Sequence, residues 1–390
     1  MKYFTKQDTF WVVLLLTLSL TACQSAPSIK LASGPIFQDD AFPGASDIRI
    51  ESEKDIFRLD KEARAYVQKT VGRIKDPIER TEILAKSIFE RLDFDLLYRG
   101  DANTTANETF HNQAANCLSL SIMTYALATE AGLGARFQDV KVPEYWTRRD
   151  GVSLLNGHIN LQIVPRERGS NSFYVYNKGY QIDFNPQTAK DHFIKTELSK
   201  KQVIAMFYNN KGADALLSND RDRAYAYFAA ALKVEPNFDS ALVNLGFLYR
   251  VSKLYELSEN VYLYALSSSP DNLTAWENLA YLYAHSGKPE QSAAILARVQ
   301  SKRLRNPYYH LDLGRRDFDH GKLQQALMHF NRALAIDNSR HEIFYALAKT
   351  YHALGEVVET ERYLKKAKRK TKNLQEKELY QGKLDLLTRS

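Results

Sequence analysis

The sequence predicts an α+β domain followed by an all-α repeat solenoid, and three observations carry that reading. Helical periodicity gives way to strand-like alternation between Lys61 and Phe184. Beyond Ser199 the pattern is helical alone, and within that half small and large residues return every thirty-four positions. The 390 residues suit more than one domain, at ~150 residues per domain. Hydrophobic residues at 44% and charged residues at 25% exclude a mostly disordered chain, and 17 Gly, 11 Pro and 2 Cys exclude collagen-like and disulfide-stapled classes. A net charge of +7 is too diffuse over this length to argue for a nucleic-acid partner.

The first element is a targeting segment. Lys2 and Lys6 precede an apolar run from Phe10 to Leu20, followed by Leu20-Thr21-Ala22-Cys23. The run is short for a bilayer span, which needs ~20 residues, and reads as a signal peptide over 1–22. Leu-Thr-Ala-Cys resembles the bacterial lipobox. That resemblance implies lipidation of Cys23 and a chain tethered by its acyl groups, at ~0.8 kcal/mol per buried CH₂. The other reading is an ordinary cleaved signal with a chance cysteine. With Gln24 after the cysteine, lipoprotein sorting implies the outer membrane of a Gram-negative envelope, facing the periplasm. Residues 23–48, rich in Ser, Pro, Ala, Gly and Asp, read as a tether. A lipidated Cys23 leaves Cys117 without a partner, and a lone thiol in an oxidising compartment must be buried or used.

Residues 49–199 form the expected α+β domain. Lys61–Val71 and Pro77–Arg91 carry helical spacing, Gly100–Asn116 reads as a polar loop, and Leu118–Ala131 as an apolar helix closed by Gly132. Strand-like runs follow at Arg136–Val142, His158–Val164, Phe173–Tyr176 and Tyr180–Phe184, the last two joined by Asn177-Lys178-Gly179. Helices first and hairpin-linked strands after predict an antiparallel sheet. Cys117 falls in a helix's first turn, where free N–H groups and the helix dipole favour negative charge on a nucleophile. His158 lies on the polar side of an alternating strand, outside the core, and Asp183 repeats the device on the next one. Singly, these are a small buried hydrophobe, a solvated strand face and a turn opener.

Together, Asn116-Cys117-Leu118-Ser119-Leu120-Ser121, Gly132-Leu133-Gly134-Ala135-Arg136, Gly157-His158 and Ile182-Asp183-Phe184-Asn185-Pro186 resemble the transglutaminase-like core over roughly residues 60–190. The resemblance implies a papain-like triad with Cys117 as nucleophile, His158 as general base and acid, and Asp183 as orienting carboxylate. The family commonly has Gly before the cysteine and an aromatic after the histidine, where this chain has Asn116 and Ile159. For the oxyanion we name the Cys117 backbone N–H with a side-chain amide from Asn112, Gln113 or Asn116. His111 is placed in the loop, lining the cleft or solvated. No metal-ligand spacing and no phosphate-binding glycine loop is present, so neither metal nor cofactor is expected.

Units of thirty-four begin at Ala205, Asp239, Leu273, Pro307 and His341, filling 205–374. Position eight is Gly212, Gly246, Ala280, Gly314 and Ala348, and position twenty-four Phe228, Tyr262, Leu296, Phe330 and Leu364. Position twenty-seven is small or β-branched throughout. The period and the small/large pattern resemble the tetratricopeptide repeat in five consecutive copies. Such an array is expected to have a continuous core of its own, with residues 375–390 as a solvating cap. First helices line its concave face. Position six there (Asn210, Asn244, Asn278, Asp312), with Phe247, Arg250, Tyr281 and Arg315 around it, forms the expected peptide groove. Lys365, Lys366, Lys368, Arg369, Lys370 and Lys372 make a basic run, a solvated face or a contact for anionic lipid. The function implied is an envelope-anchored cysteine hydrolase or acyl transferase whose array recruits a protein substrate or partner. The alternative is a non-catalytic assembly lipoprotein that binds through its repeats.

Overall fold

The computed structural model describes residues 36–95, 97–98, 102–112, 114–149, 152–165, 179–184, 193–371 and 374–387. The lipobox with Cys23, the strand expected at 173–176 with its turn, Gln113 and the Asn185-Pro186 pair lie outside the described residues.

The N-terminal part begins with three helices, α1 (Glu53–Phe57), α2 (Lys61–Val71) and α3 (Pro77–Asp95). Ser52 and Asp55 form a capping box on α1, and the Asp60 carboxylate caps α2. A two-residue strand β1 (Leu97–Tyr98) pairs parallel with β2 (Ala114–Ala115). Between them, the expected polar loop contains helix α4 (Ala106–His111), started by a Thr105/Glu108 capping box that its composition concealed.

Helix α5 (Cys117–Glu130) is the pivot of this region. Its run from Leu118 to Thr124 is buried on every side, with small hydroxyl residues Ser119, Ser121 and Thr124 between the apolar ones. Gly132, at φ +72°, closes it with Leu133 N–H donating to the Ala128 carbonyl. The helix packs on β3 (Gly134–Val140) and β6 (Ile159–Val164). These belong to an antiparallel sheet in the order β7-β6-β3-β8, with β7 Tyr180–Ile182 and β8 Lys195–Leu198. Leu161 pairs with Phe137 on one side and Ile182 on the other. The sequence reading missed β8. It also missed a separate hairpin, β4 (Tyr145–Arg149) with β5 (Val152–Asn156), where Asp150-Gly151 between strand-type residues was the available signal.

From Lys200 the chain is antiparallel helix pairs: α6 (Lys200–Leu217) with α7 (Arg221–Val234), α8 (Asp239–Val251) with α9 (Tyr255–Ser268), and α10 (Leu273–His285) with α11 (Pro289–Arg303). Then come α12 (Pro307–Asp319) with α13 (Leu323–Ile336), and α14 (His341–Ala353) with α15 (Val357–Lys370). A final helix α16 (Leu374–Leu387) buries Tyr380 and Leu384, and the Tyr380 hydroxyl bonds His341 Nδ1 at 2.8 Å.

Two expectations are corrected. The array has no single continuous core of its own: one buried cluster runs from Phe42 through α5 and the sheet into the helices as far as Val299, and a second, within the array, spans Leu311 to Leu384. The buried apolar cluster is interrupted between α11 and α12. The second part of the expected tether is docked rather than free-running. Residues 36–48 strap the first helix pairs: Phe42 is buried and stacks on Tyr225 at 4.6 Å, and Tyr249 donates to the Ile36 carbonyl at 2.8 Å. Composition hides this because a few scattered apolar residues, Ile36, Phe37, Phe42 and Ile48, and backbone hydrogen bonds carry the docking.

Candidate functional site

The fold brings Cys117, His158 and Asp183 together. Cys117 is the first residue of α5, and the Asn116 Oδ1 accepts from Ser119 N–H at 2.9 Å to fix that helix start. His158 immediately precedes β6 and Asp183 immediately follows β7, so strand pairing sets them side by side. His158 Nε2 lies 2.9 Å from Asp183 Oδ1, with side chains only 2% and 6% exposed. Asn160 Nδ2 donates to the other carboxylate oxygen at 3.4 Å. The Cys117 thiol lies near enough to the same imidazole to favour its charged form. With Nε2 held by Asp183, Nδ1 is the nitrogen available to the thiol.

His158 was expected on a solvated polar face. It is buried because β6 is an interior strand, and the Tyr145 hydroxyl reaches the Gly157 carbonyl just ahead of it at 3.4 Å. Burial is the largest influence on the imidazole and disfavours its cation. The hydrogen bond to Asp183 and the nearby Cys117 thiol, with their charges, outweigh it and raise the pKa to about 9. Tyr145 is within electrostatic reach of the Cys117 thiol. Its hydroxyl is pushed well above the ordinary tyrosine range by burial first, then by the charges of Cys117, Tyr308 and Glu342.

Of the side-chain amides expected at the oxyanion, Gln113 lies outside the described residues, and the structure describes Asn116 and Asn112. Asn116 Nδ2 donates to Asn103 Oδ1 at 2.6 Å, so that amide serves the helix cap and its support. Asn112 is an exposed residue at the end of α4. His111 ends α4 and bonds Asp60 at 2.7 Å, away from the thiol's partners. Sequence reasoning missed the support itself. Asn103 Nδ2 donates to Asp214 of α6 at 2.5 Å, and Asp214 also pairs with Arg149 of β4. A polar chain thus runs from the cap of Cys117 into the repeats. Among the described residues no group of three or more His, Cys, Asp or Glu could hold a metal ion.

The groove residues divide. Asn244 donates to Asn209 at 2.8 Å, Asn210 accepts from Asn209, and Asn278 donates to the Thr274 carbonyl of its own helix. The Arg250 guanidinium lies over Phe247, and Tyr281 contacts Glu277. Asp312 is buried. Arg315 donates to the Trp146 carbonyl at 3.3 Å, so this stretch of the array holds a segment of its own chain. Around it, Arg303 binds Glu144 through two nitrogens at 2.9 and 3.2 Å, and Asn306 Nδ2 donates to the Glu144 carbonyl at 2.6 Å.

A β-containing N-terminal region fixed to an all-α helix-pair solenoid is the class of protein these elements define. The comparisons place the solenoid: residues 248–306 match the tetratricopeptide repeat model and residues 314–355 a second TPR repeat model. The C-terminal region therefore consists of tetratricopeptide repeats. The chain is 33% identical over 86 residues to the "Uncharacterized protein ycf37" of Guillardia theta, covering 22% of this chain and 48% of that protein. The chain thus spans about half the length of this curated relative. Among solved structures, it is similar to YrrB, described as a TPR protein with an unusual peptide-binding site, at 20% identity and TM-score 0.25 over 44% of this chain and 89% of that one. It is also similar to TTC0263, a thermophilic TPR protein of Thermus thermophilus, at 22% identity and TM-score 0.29 over 46% and 97%. Pseudomonas aeruginosa pilF matches at 16% identity and TM-score 0.28 over 45% and 80%.

Proposed function

We propose that this chain is a lipid-anchored envelope protein whose repeat array is a scaffold for protein partners, with a transglutaminase-like region docked on it. One observation carries the scaffold reading: the array already holds an extended stretch of polypeptide, with Asn306 and Arg315 donating to the carbonyls of Glu144 and Trp146. Side chains that pair with main-chain carbonyls at alternate residues are the means by which a helical-repeat surface holds an extended peptide. The lipobox at Leu20–Cys23 supports anchoring, and Gln24 supports the outer membrane facing the periplasm. The test is a photo-crosslinking residue at position 247, on the half-buried Phe247 of α8, in cells. A discrete protein adduct that disappears when residues 205–374 are scrambled is expected. Its absence at 247 and 281 alike overturns the scaffold reading.

A second reading rests on the Cys117–His158–Asp183 arrangement. In it, His158 has already taken the thiol proton when the Cys117 sulfur attacks an amide carbonyl, as its raised pKa favours, and then gives that proton to the leaving amine. The resulting thioester passes its acyl group to water, or to an amine in cross-linking. Asp183 holds the imidazole and stabilises its cation, and the Cys117 backbone N–H at the start of α5 serves the oxyanion. Comparison of envelope cleavage products between wild type and Cys117→Ala tests it. Identical products refute hydrolysis and leave the scaffold.

A further inference from the structure

The hairpin β4–β5 has an unusual standing in the fold. It is a separate two-stranded sheet, unpaired with the four-stranded one. An isolated hairpin is marginal in water. Its position therefore depends on what it touches, and what it touches is the array. Arg149 pairs with Asp214 of the first helix pair, while the segment entering β4 reaches the junction of α11 and α12. That junction is where the apolar seam of the array is interrupted.

The junction recognises this segment by charge, by ring and by backbone. The Arg303 side chain is 2% exposed and forks onto the Glu144 carboxylate. It is oriented from behind by Glu277 at 2.7 Å, and its guanidinium lies 5.0 Å from the Trp146 ring centroid. Trp146 is buried edge-on to Tyr309 at 6.2 Å. Bidentate guanidinium–carboxylate pairing with a stacked ring is a specific reader, where a lysine would be a point charge. Tyr145, between these two residues, faces Tyr308 at 5.7 Å, and its hydroxyl reaches the Gly157 carbonyl just ahead of His158 at 3.4 Å.

We infer that the α11–α12 junction is a receptor for an extended segment carrying an acidic residue followed by aromatic residues. Glu144-Tyr145-Trp146 is its resident occupant, and a protein partner presenting the same chemistry displaces it and draws Tyr145 away from Gly157 and His158. The inference names the partner chemistry of the scaffold and rests on that reading, but not on Cys117 being catalytic. Covalent linkage gives the resident segment an effective concentration of order millimolar, so the partner must bind the vacated junction well below that. It must also supply the carboxylate, since displacement without one leaves Arg303 beside a single partner carboxylate, Glu277.

The test uses the full chain and a fluorescein-labelled peptide with the sequence of residues 141–149, followed by anisotropy. The variant carrying Glu144→Ala and Trp146→Ala has a vacated junction. It should bind the peptide at least ten-fold more tightly than wild type, and a peptide with Lys in place of the glutamate should lose at least ten-fold. Circular dichroism melting checks that the variant is folded. A second arm needs no variant: saturating peptide added to wild type should speed iodoacetamide labelling of Cys117 several-fold. Equal binding by variant and wild type, binding by neither, indifference to the glutamate, or unchanged labelling each overturns the inference. Such a failure leaves the in-cell adducts from position 247 in place, and so is distinguishable from failure of the scaffold reading.

Discussion

Gly212→Ala is a sharp test of how the array is packed. A methyl group built on Gly212 would lie 2.6 Å from Cε1 and 2.7 Å from Cδ1 of Phe228, against an optimal carbon–carbon separation of about 3.5–4.0 Å. Phe228 has no exposed surface, so the ring has nowhere to yield. Alanine for glycine inside a helix gains about 1 kcal/mol in propensity. Forcing a methyl into a filled interface costs about 1–3 kcal/mol, toward the upper end where nothing can move. The net expectation is destabilisation by about 1–2 kcal/mol, although alanine is the better helix former. The repeats themselves contain the compensating pair: Gly212, Gly246 and Gly314 face Phe228, Tyr262 and Phe330, whereas Ala280 and Ala348 share their units with Leu296 and Leu364. Phe228→Leu alone should cost about 1 kcal/mol through the void it leaves. The double variant should recover about 1–2 kcal/mol relative to the sum of the singles. Urea unfolding followed by circular dichroism, with amide exchange in α6 and α7, measures all three, since an array can open in parts. A stabilised Gly212→Ala, or a double variant whose losses simply add, refutes the reasoning.

The remaining expectations concern the site and the anchor. His158 has its folded pKa raised to about 9, so it adds stability in full below its unfolded pKa of about 6.5 and loses it as pH climbs through about 9. The contribution is about 3 kcal/mol, and urea midpoints that fall over this range for wild type but stay flat for His158→Gln bear it out. Iodoacetamide should label Cys117 in the folded protein near neutral pH, and His158→Ala should slow it; labelling only after denaturation makes Cys117 a packing residue. Asp214→Ala should unsettle the Asn103–Asn116 support and lower amide protection at the start of α5 by about 1–2 kcal/mol. Cys23→Ser should abolish incorporation of labelled fatty acid and release the protein from membrane fractions.

Much of this was legible because it repeats or caps. The thirty-four-residue register sets a small residue against a large one at each turn, and the structure forms each helix pair on it. Cys117 reads as a helix start because Asn116 precedes an apolar run, and the observed cap is that Asn116. His158 and Asp183 read as strand neighbours from matched alternation, though their burial did not, since a strand's own residues do not reveal what lies over its polar face. The hairpin was missed although Asp150-Gly151 marked it. Helix α4 was missed because Asn and Thr outnumber the apolar residues around its capping box.

What the sequence determined by itself is therefore local: the division into an α+β part and tetratricopeptide repeats, the caps, and the pairing of positions within each repeat. Such features depend on residues a few positions apart, where periodicity and propensity speak directly. The tertiary structure alone decided that residues 36–48 strap the array, and that one core crosses from the sheet into the repeats. It also decided that Glu144 and Trp146 meet Arg303, more than a hundred and fifty residues away. A single buried guanidinium meeting a carboxylate and an indole leaves no periodic trace, because its partners are brought together by the path of the whole chain.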